Sequence, residues 1–331
     1  MMFEDLRTAD FDFELPEELI ASRPLERRDA SRMMVVNVAT GQIEHRHFRE
    51  FGELASGSLV VLNNTRVARA RFFSNDGKME LLRLEMVEPL RWKCLVKPGR
   101  KLRVGDTVAL GGATGTVEEI LEPDGARMIR FDQSVDEATH GHLALPHYMN
   151  RADDPLDAER YQTVFADAAK ERAIAAPTAG LHFTPEILEG LPHEFITLHV
   201  GVGTFQPVRV ERLTDHVMHV EKYEISECAA AAIQAAPRVL AVGTTVARVL
   251  EHSVATHGRV LAEAGETGIF IYPGFTFRRV DALLTNFHLP KSTLFMLVSA
   301  KAGRELMREA YHQAVRERYR FYSYGDCMLI R

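Results

Sequence analysis

The chain has 331 residues, 46% hydrophobic and 26% charged, a globular balance with room for one large domain or two moderate ones. It holds no apolar run near the ~20 residues needed to cross a bilayer. Its three cysteines, Cys94, Cys228 and Cys327, are too scattered for a disulfide framework or an iron–sulfur cluster. A net charge of −6 excludes a protein that is basic all over, but phosphate contact needs only a local patch, and arginines do cluster locally at 23–28, 66–71, 91–103 and 304–320.

The opening stretch MMFEDLRTADFDFELP is acidic and amphipathic, unlike the basic-then-apolar start of a secretory leader, and predicts a cytoplasmic protein. Two short apolar runs, MMVVNV (33–38) and LVVL (59–62), read as buried strands. From about 69 to 145 the texture changes. LLRLEMVE, WKCLV, DTVAL, GTVEEI and RMIRF alternate with Pro-Gly, Gly-Gly and Pro-Asp-Gly turns, the pattern of a small all-β, barrel-like unit. Beyond 145, FITLHV, RVLAVG, GIFIYP and VDALLTNF read as strands. TPEILE, SECAAAAIQAA, TVARVLEHSVA, STLFMLVSAKA and RELMREAYHQAVRERY read as helices. Thr184 and Ser292 stand as N-caps, with Pro185 at the first helical position and Gly190 at the far end. The predicted architecture is an α/β main domain (1–68 and 146–331) interrupted by an inserted small all-β, barrel-like domain (69–145).

Polar residues gather at the predicted strand ends, where α/β sheets bind ligands. Thr178-Ala-Gly180-Leu-His182 precedes a capped helix, and His182 suits either acid–base work or closing a turn. Gly201-Val-Gly203-Thr204 forms a glycine-rich turn, but Gln206-Pro207 follows it, so no helix begins there as a dinucleotide fingerprint requires. Thr244-Thr245 opens a helix, as caps or as receptors for a carboxylate or hydroxyl. Arg248, one turn in, can pair with a ligand carboxylate or with an internal acid. His219 and Glu221 share a face if extended, and such a pair tunes a histidine's charge. Tyr272 offers an aromatic face. Asn286, His288 and Lys291 cluster at a strand-to-helix crossover. No metal-ligand spacing is present, and His140, His142 and His147 read as ordinary surface or boundary residues.

Eight strings carry a resemblance: FDFELPEELIASRP, LVVLNNTRVARAR, AAPTAGLHFTPEILE, TLHVGVGTFQPV, AVGTTVARVLE, IFIYPG, VDALLTNFHLPKSTLFMLVSA and YRFYSYGDCMLI. In this order they resemble the S-adenosylmethionine:tRNA ribosyltransferase-isomerase family of queuosine biosynthesis. The resemblance implies an α/β domain with a β insert. It also implies a reaction in which S-adenosylmethionine, as a consumed substrate and not a cofactor, gives its ribosyl group to the 7-aminomethyl-7-deazaguanine wobble base of tRNA. Adenine and methionine leave and the sugar becomes an epoxycyclopentane. It further implies no metal or other cofactor, with His182, His288, His219 and Glu221 as candidate catalytic groups, and a monomer is expected. Thr178, Gly180, Gly201, Gly203, Thr204, Thr244, Thr245, Arg248, Tyr272, Asn286 and Lys291 are the candidate substrate contacts. The competing readings are an S-adenosylmethionine-dependent tRNA methyltransferase, which calls for a glycine-rich loop entering a helix, and a non-catalytic RNA-binding protein, which leaves the polar strand ends unexplained.

Overall fold

The structure is a computed structural model that describes residues 6–201, 203, 208 and 210–331. The chain opens with β1 (Arg32–Val36), β2 (Ile43–His47), the single turn α1 (Phe51–Leu54) and β3 (Leu59–Asn63). A short β4 (Arg66–Val67) leads into β5 (Arg71–Phe73), β6 (Glu80–Glu88), β7 (Arg91–Lys97), β8 (Thr107–Leu110), β9 (Ala113–Leu121) and β10 (Ala126–Phe131). There follow α2 (Glu137–His140), α3 (Pro155–Arg160), β11 (Glu171–Ala173), α4 (Pro185–Glu189), β12 (His193–Leu198) and β13 (Glu221–Ile225). Next come α5 (Glu227–Ala235), β14 (Val239–Val242), α6 (Thr244–His257), β15 (Glu263–Thr267) and β16 (Ala282–Asn286). The chain closes with α7 (Thr293–Ala302), α8 (Arg304–Arg316) and β17 (Cys327–Ile330).

Among the described residues, nine strands form the main sheet, in the order β15-β13-β12-β3-β14-β16-β17-β1-β2. Its centre, β12-β3-β14-β16, is parallel, and these strands are apolar because both their faces are covered. Period-two alternation decides which residue faces which layer. Met34, Val61, Ala241 and Leu283 point to a core shared with Val246, Val249 and Leu250 of α6, Phe295 and Met296 of α7, and Tyr311 of α8. Met33, Val60, Leu62, Val242 and Leu284 point the other way, against Phe48, Phe51 and Phe183. The edge strand β2, IEHRH, is largely exposed and charged, which discourages pairing with another chain.

A second sheet, β5-β6-β7-β10-β9-β8, is antiparallel throughout and built from residues 71–131, between β3 and β12 of the main sheet. It is nearly closed: after the edge strand β5, the Asn75 N–H donates to Ala109 O on the other edge strand, β8, at 2.9 Å. Inward residues Phe72, Leu81, Trp92, Val117, Ile129 and Phe131 form its own core.

One expected strand is corrected. The stretch IFIYPG (269–274) makes no ladder, and the strand of that region is β15 just before it, paired with β13. After Thr267 the chain turns inward to pack Ile271 into the core, with Phe270 and Tyr272 partly buried against it. The apolar content of that stretch therefore reports burial and not pairing. Both predicted caps are present, the Thr184 hydroxyl accepting from Ile187 N–H and the Ser292 hydroxyl from Phe295 N–H. No helix among the described residues is long and apolar enough to cross a membrane.

Candidate active site

The chain runs from β3 to β12 on one side and later returns to β14 on the other. A crevice therefore opens over the carboxyl ends of the parallel strands, where such a switch in direction places it. The crevice spans about 720 Å³, counting the solvent-open space at its mouth, and is walled by Ala175–Ala179, Val200, Gly243–Thr245, Thr285–Leu289, Ser292, Leu294, Tyr322 and Ser323. Five of the sequence strings, far apart in the chain, meet here.

One wall is the start of α6. Its N-cap is Gly243, held at φ 91°, where a side chain would be strained, and no side chain caps the helix. Thr244 and Thr245 therefore lie inside the first turn and are not caps. Both are buried, and the Thr245 hydroxyl has no hydrogen-bond partner among the described residues. The free N–H groups that every helix leaves in its first turn thus face the crevice beside an unspent hydroxyl.

The opposite wall comes from β16 and the segment after it. Asn286 gives its amide N–H groups to the carbonyls of Tyr322 (2.8 Å) and Ser323 (3.3 Å), so its Oδ1 must face His182. His182 Nε2–H donates to that oxygen at 3.0 Å. Its Nδ1 is then the acceptor for the Ser31 hydroxyl at 2.8 Å. Burial pushes the His182 pKa down to about 4, helped by Arg28 and Arg320, so the ring is neutral with both nitrogens committed. His288 is also buried, its pKa pushed down to about 3 by desolvation. Its Nε2 lies 2.9 Å from Thr285 Oγ1, and its backbone N–H donates to the Tyr311 hydroxyl at 3.1 Å. Its Nδ1 has no partner among the described residues, and the residue lines the crevice.

The remaining candidates divide. Thr178 lines the crevice. Gly180 lies in the turn Thr178–His182, where a Cβ would strike Thr163 and Phe165, so it serves packing. Gly201 donates its N–H to Glu221 at 3.0 Å, and Arg248 pairs with the other oxygen of that carboxylate at 2.5 Å, both side chains buried. Arg248 therefore meets an internal acid, its Nε reaching Ile269 O at 3.3 Å while Nη2 stays buried without a partner. His219 is exposed, and Gly203 leaves it the room that a Cβ would fill. Tyr272 is half-buried against Phe270, ring centroids 4.9 Å apart, outside the crevice walls. Lys291 turns back at φ 58° and pairs its ammonium with Asp12 at 2.7 Å. Thr204 lies outside the described residues. Among those described, no three His, Cys, Asp or Glu side chains gather as a metal site.

Sequence reasoning missed Ser31, Thr285, Tyr322 and Ser323. Tyr322 is held at φ 76° beside the crevice, its ring 4.0 Å from that of Tyr148. A tyrosine forced into left-handed backbone is a strained position of the kind found at functional sites, and it leaves no mark in sequence. The resemblance did mark its string, YRFYSYGDCMLI, in which Tyr324 donates to Asp157 at 2.8 Å.

A mixed sheet with a parallel centre, a crevice over the ends of its parallel strands and an uncapped helix start in the wall define an α/β protein of the kind that binds its ligands at the strand ends. The family model described as "Queuosine biosynthesis protein" matches residues 8–330, and the chain belongs to that family. S-adenosylmethionine:tRNA ribosyltransferase-isomerases from Geobacter metallireducens and Pelobacter propionicus are 48% and 49% identical to it, covering 98% and 97% of this chain and 100% and 98% of their own. The crystal structure of an S-adenosylmethionine tRNA ribosyltransferase from Thermotoga maritima is similar at 37% identity and TM-score 0.56, covering 97% of this chain and all of that one.

Proposed function

We propose that this enzyme transfers and isomerises the ribosyl group of S-adenosylmethionine onto the 7-aminomethyl-7-deazaguanine wobble base of tRNA, releasing adenine and methionine and leaving epoxyqueuosine. One observation carries the reading to this site: the strings AAPTAGLHF, AVGTTVARV, TNFHLPKS and YRFYSYGD converge on one crevice. In this reading the donor's methionine carboxylate sits on the N–H groups of the first turn of α6, with the Thr244 and Thr245 hydroxyls beside it. His288 is the group offered to the reacting atoms, a neutral imidazole with Nδ1 open to the crevice. His182 acts through Asn286 and holds that wall in register, as a positioning residue. Glu221, Arg248, Gly201 and Gly203 shape the neighbouring turn.

The same reading makes S-adenosylmethionine a consumed substrate with no further cofactor, and the protein a cytoplasmic monomer. It also makes residues 69–145 a domain inserted into the α/β domain of 1–68 and 146–331, with a separate core of its own supporting the division. The purified protein should release free adenine from S-adenosylmethionine only when tRNA carrying the precursor base is present. His288→Asn should lower the single-turnover rate by ~10²–10⁴-fold at nearly unchanged donor affinity. A methyl adduct on the tRNA, with no adenine released, would overturn the assignment in favour of a methyltransferase.

A further inference from the structure

Behind the His182–Asn286 wall lies a second, smaller recess, open to solvent. It is lined by Arg28, Arg160 and His182 together with Leu25 and Arg27, and it shares Ser323 with the crevice. Two of its arginines, Arg28 and Arg160, have no carboxylate bonded to them among the described residues. Arg28 reaches Leu181 O at 3.2 Å and Glu159 O at 3.0 Å. Arg160 reaches Glu26 O at 2.9 Å and Leu25 O at 2.8 Å. Each guanidinium is thus fixed in place by main-chain carbonyls, which orient it without neutralising it. Arg27, by contrast, is exposed and paired with Asp29 at 2.8 Å.

The geometry points to this cavity as the seat of an RNA backbone phosphate, taken up while the neighbouring crevice holds that strand's modified base. The inference rests on the tRNA reading above and goes further by naming what receives the backbone. A base and its flanking phosphate are separated by a single ribose, and the two cavities are separated by the bonded His182–Asn286 pair, with Ser323 lining both. Rigid, unneutralised arginines are the usual means by which a protein fixes the register of a nucleic acid. Electrostatics agrees: burial and then the neighbouring Arg160 hold the Arg28 pKa below its ordinary value, a penalty that a bound anion relieves. Exposed Glu159 opposes this only weakly across solvent.

The test uses the full protein and precursor tRNA. Arg28→Gln and Arg160→Gln should each weaken tRNA binding by about tenfold and reduce the slope of log K against log salt by about 1, with the KM for S-adenosylmethionine unchanged. Because both arginines also brace main-chain carbonyls, Leu25→Glu provides a variant that leaves the braces intact. Its carboxylate at the cavity should weaken tRNA binding while the melting temperature holds. Inorganic phosphate should compete with tRNA on the wild type and lose that effect in the double arginine variant. Unchanged tRNA affinity and salt slope in all three variants overturns the proposal. So does phosphate that protects the wild type against heat without competing with tRNA, which would make this a free-anion site. A wild-type protein that never acts on tRNA fails at the function reading instead, whatever the variants do.

Discussion

Thr245 carries the sharpest residue-scale consequence of the structure. Its hydroxyl is buried against a helix start and bonded to nothing among the described residues, a state that costs stability unless a ligand uses the group. Thr245→Val keeps the shape and removes the unmet polar atom. The melting temperature should hold or rise slightly, while S-adenosylmethionine binding weakens by ~0.5–1.5 kcal/mol. Calorimetric titration of the variant checks this, and unchanged affinity would return Thr245 to a packing role. Little of this was readable in advance. The string VGTT marks a helix start, but whether its threonines cap the helix or lie within it depends on the backbone of Gly243, which only the fold fixes. Likewise His182 and His288 look alike in sequence. What separates them is Asn286, brought against His182 from 104 residues away, which leaves His288 alone with a free ring nitrogen.

At the scale of elements, the Glu221–Arg248 pair ties β13 to α6 inside the core. Sequence allowed Arg248 either a ligand carboxylate or an internal acid, and the internal acid is what it meets. A buried pair is costly to break from one side, because the orphaned charge stays inside. Arg248→Ala should therefore destabilise the protein by ~3–5 kcal/mol, and Glu221→Leu combined with Arg248→Met should recover most of that loss. Urea unfolding of the single and double variants measures both. A single variant as stable as the wild type would mean that the carboxylate escapes to water. Strand β13 shows why the pair was hidden. EKYEI reads as polar, yet Glu221, Tyr223 and Ile225 all point inward while Lys222 and Glu224 point out. Most helices and the buried strands were legible because apolar periodicity follows directly from burial on a sheet face. Among the main-sheet strands that escaped, β2, β13 and β15 are the charged ones toward the sheet edges, where pairing is satisfied by backbone and not by side chains, while β17 is apolar and buried but only four residues long.

For the whole molecule, three buried or half-buried histidines set how stability responds to acid. Desolvation pushes His182 and His199 down to about 4 and His288 to about 3. An unfolded imidazole titrates near ~6.5, so between ~6.5 and ~4 the unfolded chain binds more protons than the folded one. Their contribution is complete above ~6.5 and drains away as the pH falls toward ~4. The urea midpoint should drop between about pH 7 and about pH 5, where exposed carboxylates still hold their charge, and drop less in a His182→Asn, His288→Asn double variant. A midpoint that is flat over that range would show that these rings are not held neutral. One of these three rings, His182, also stands with Asn286 and Ser323 in the partition between the two cavities, so acid response and the working of the site meet there. Ser323 lines both chambers, Asn286 the larger and His182 the smaller, so a molecule filling either one presses on a shared wall and the free energies of filling the two are linked. Whatever factor occupancy of one chamber applies to affinity in the other must, by thermodynamic reciprocity, be returned in full.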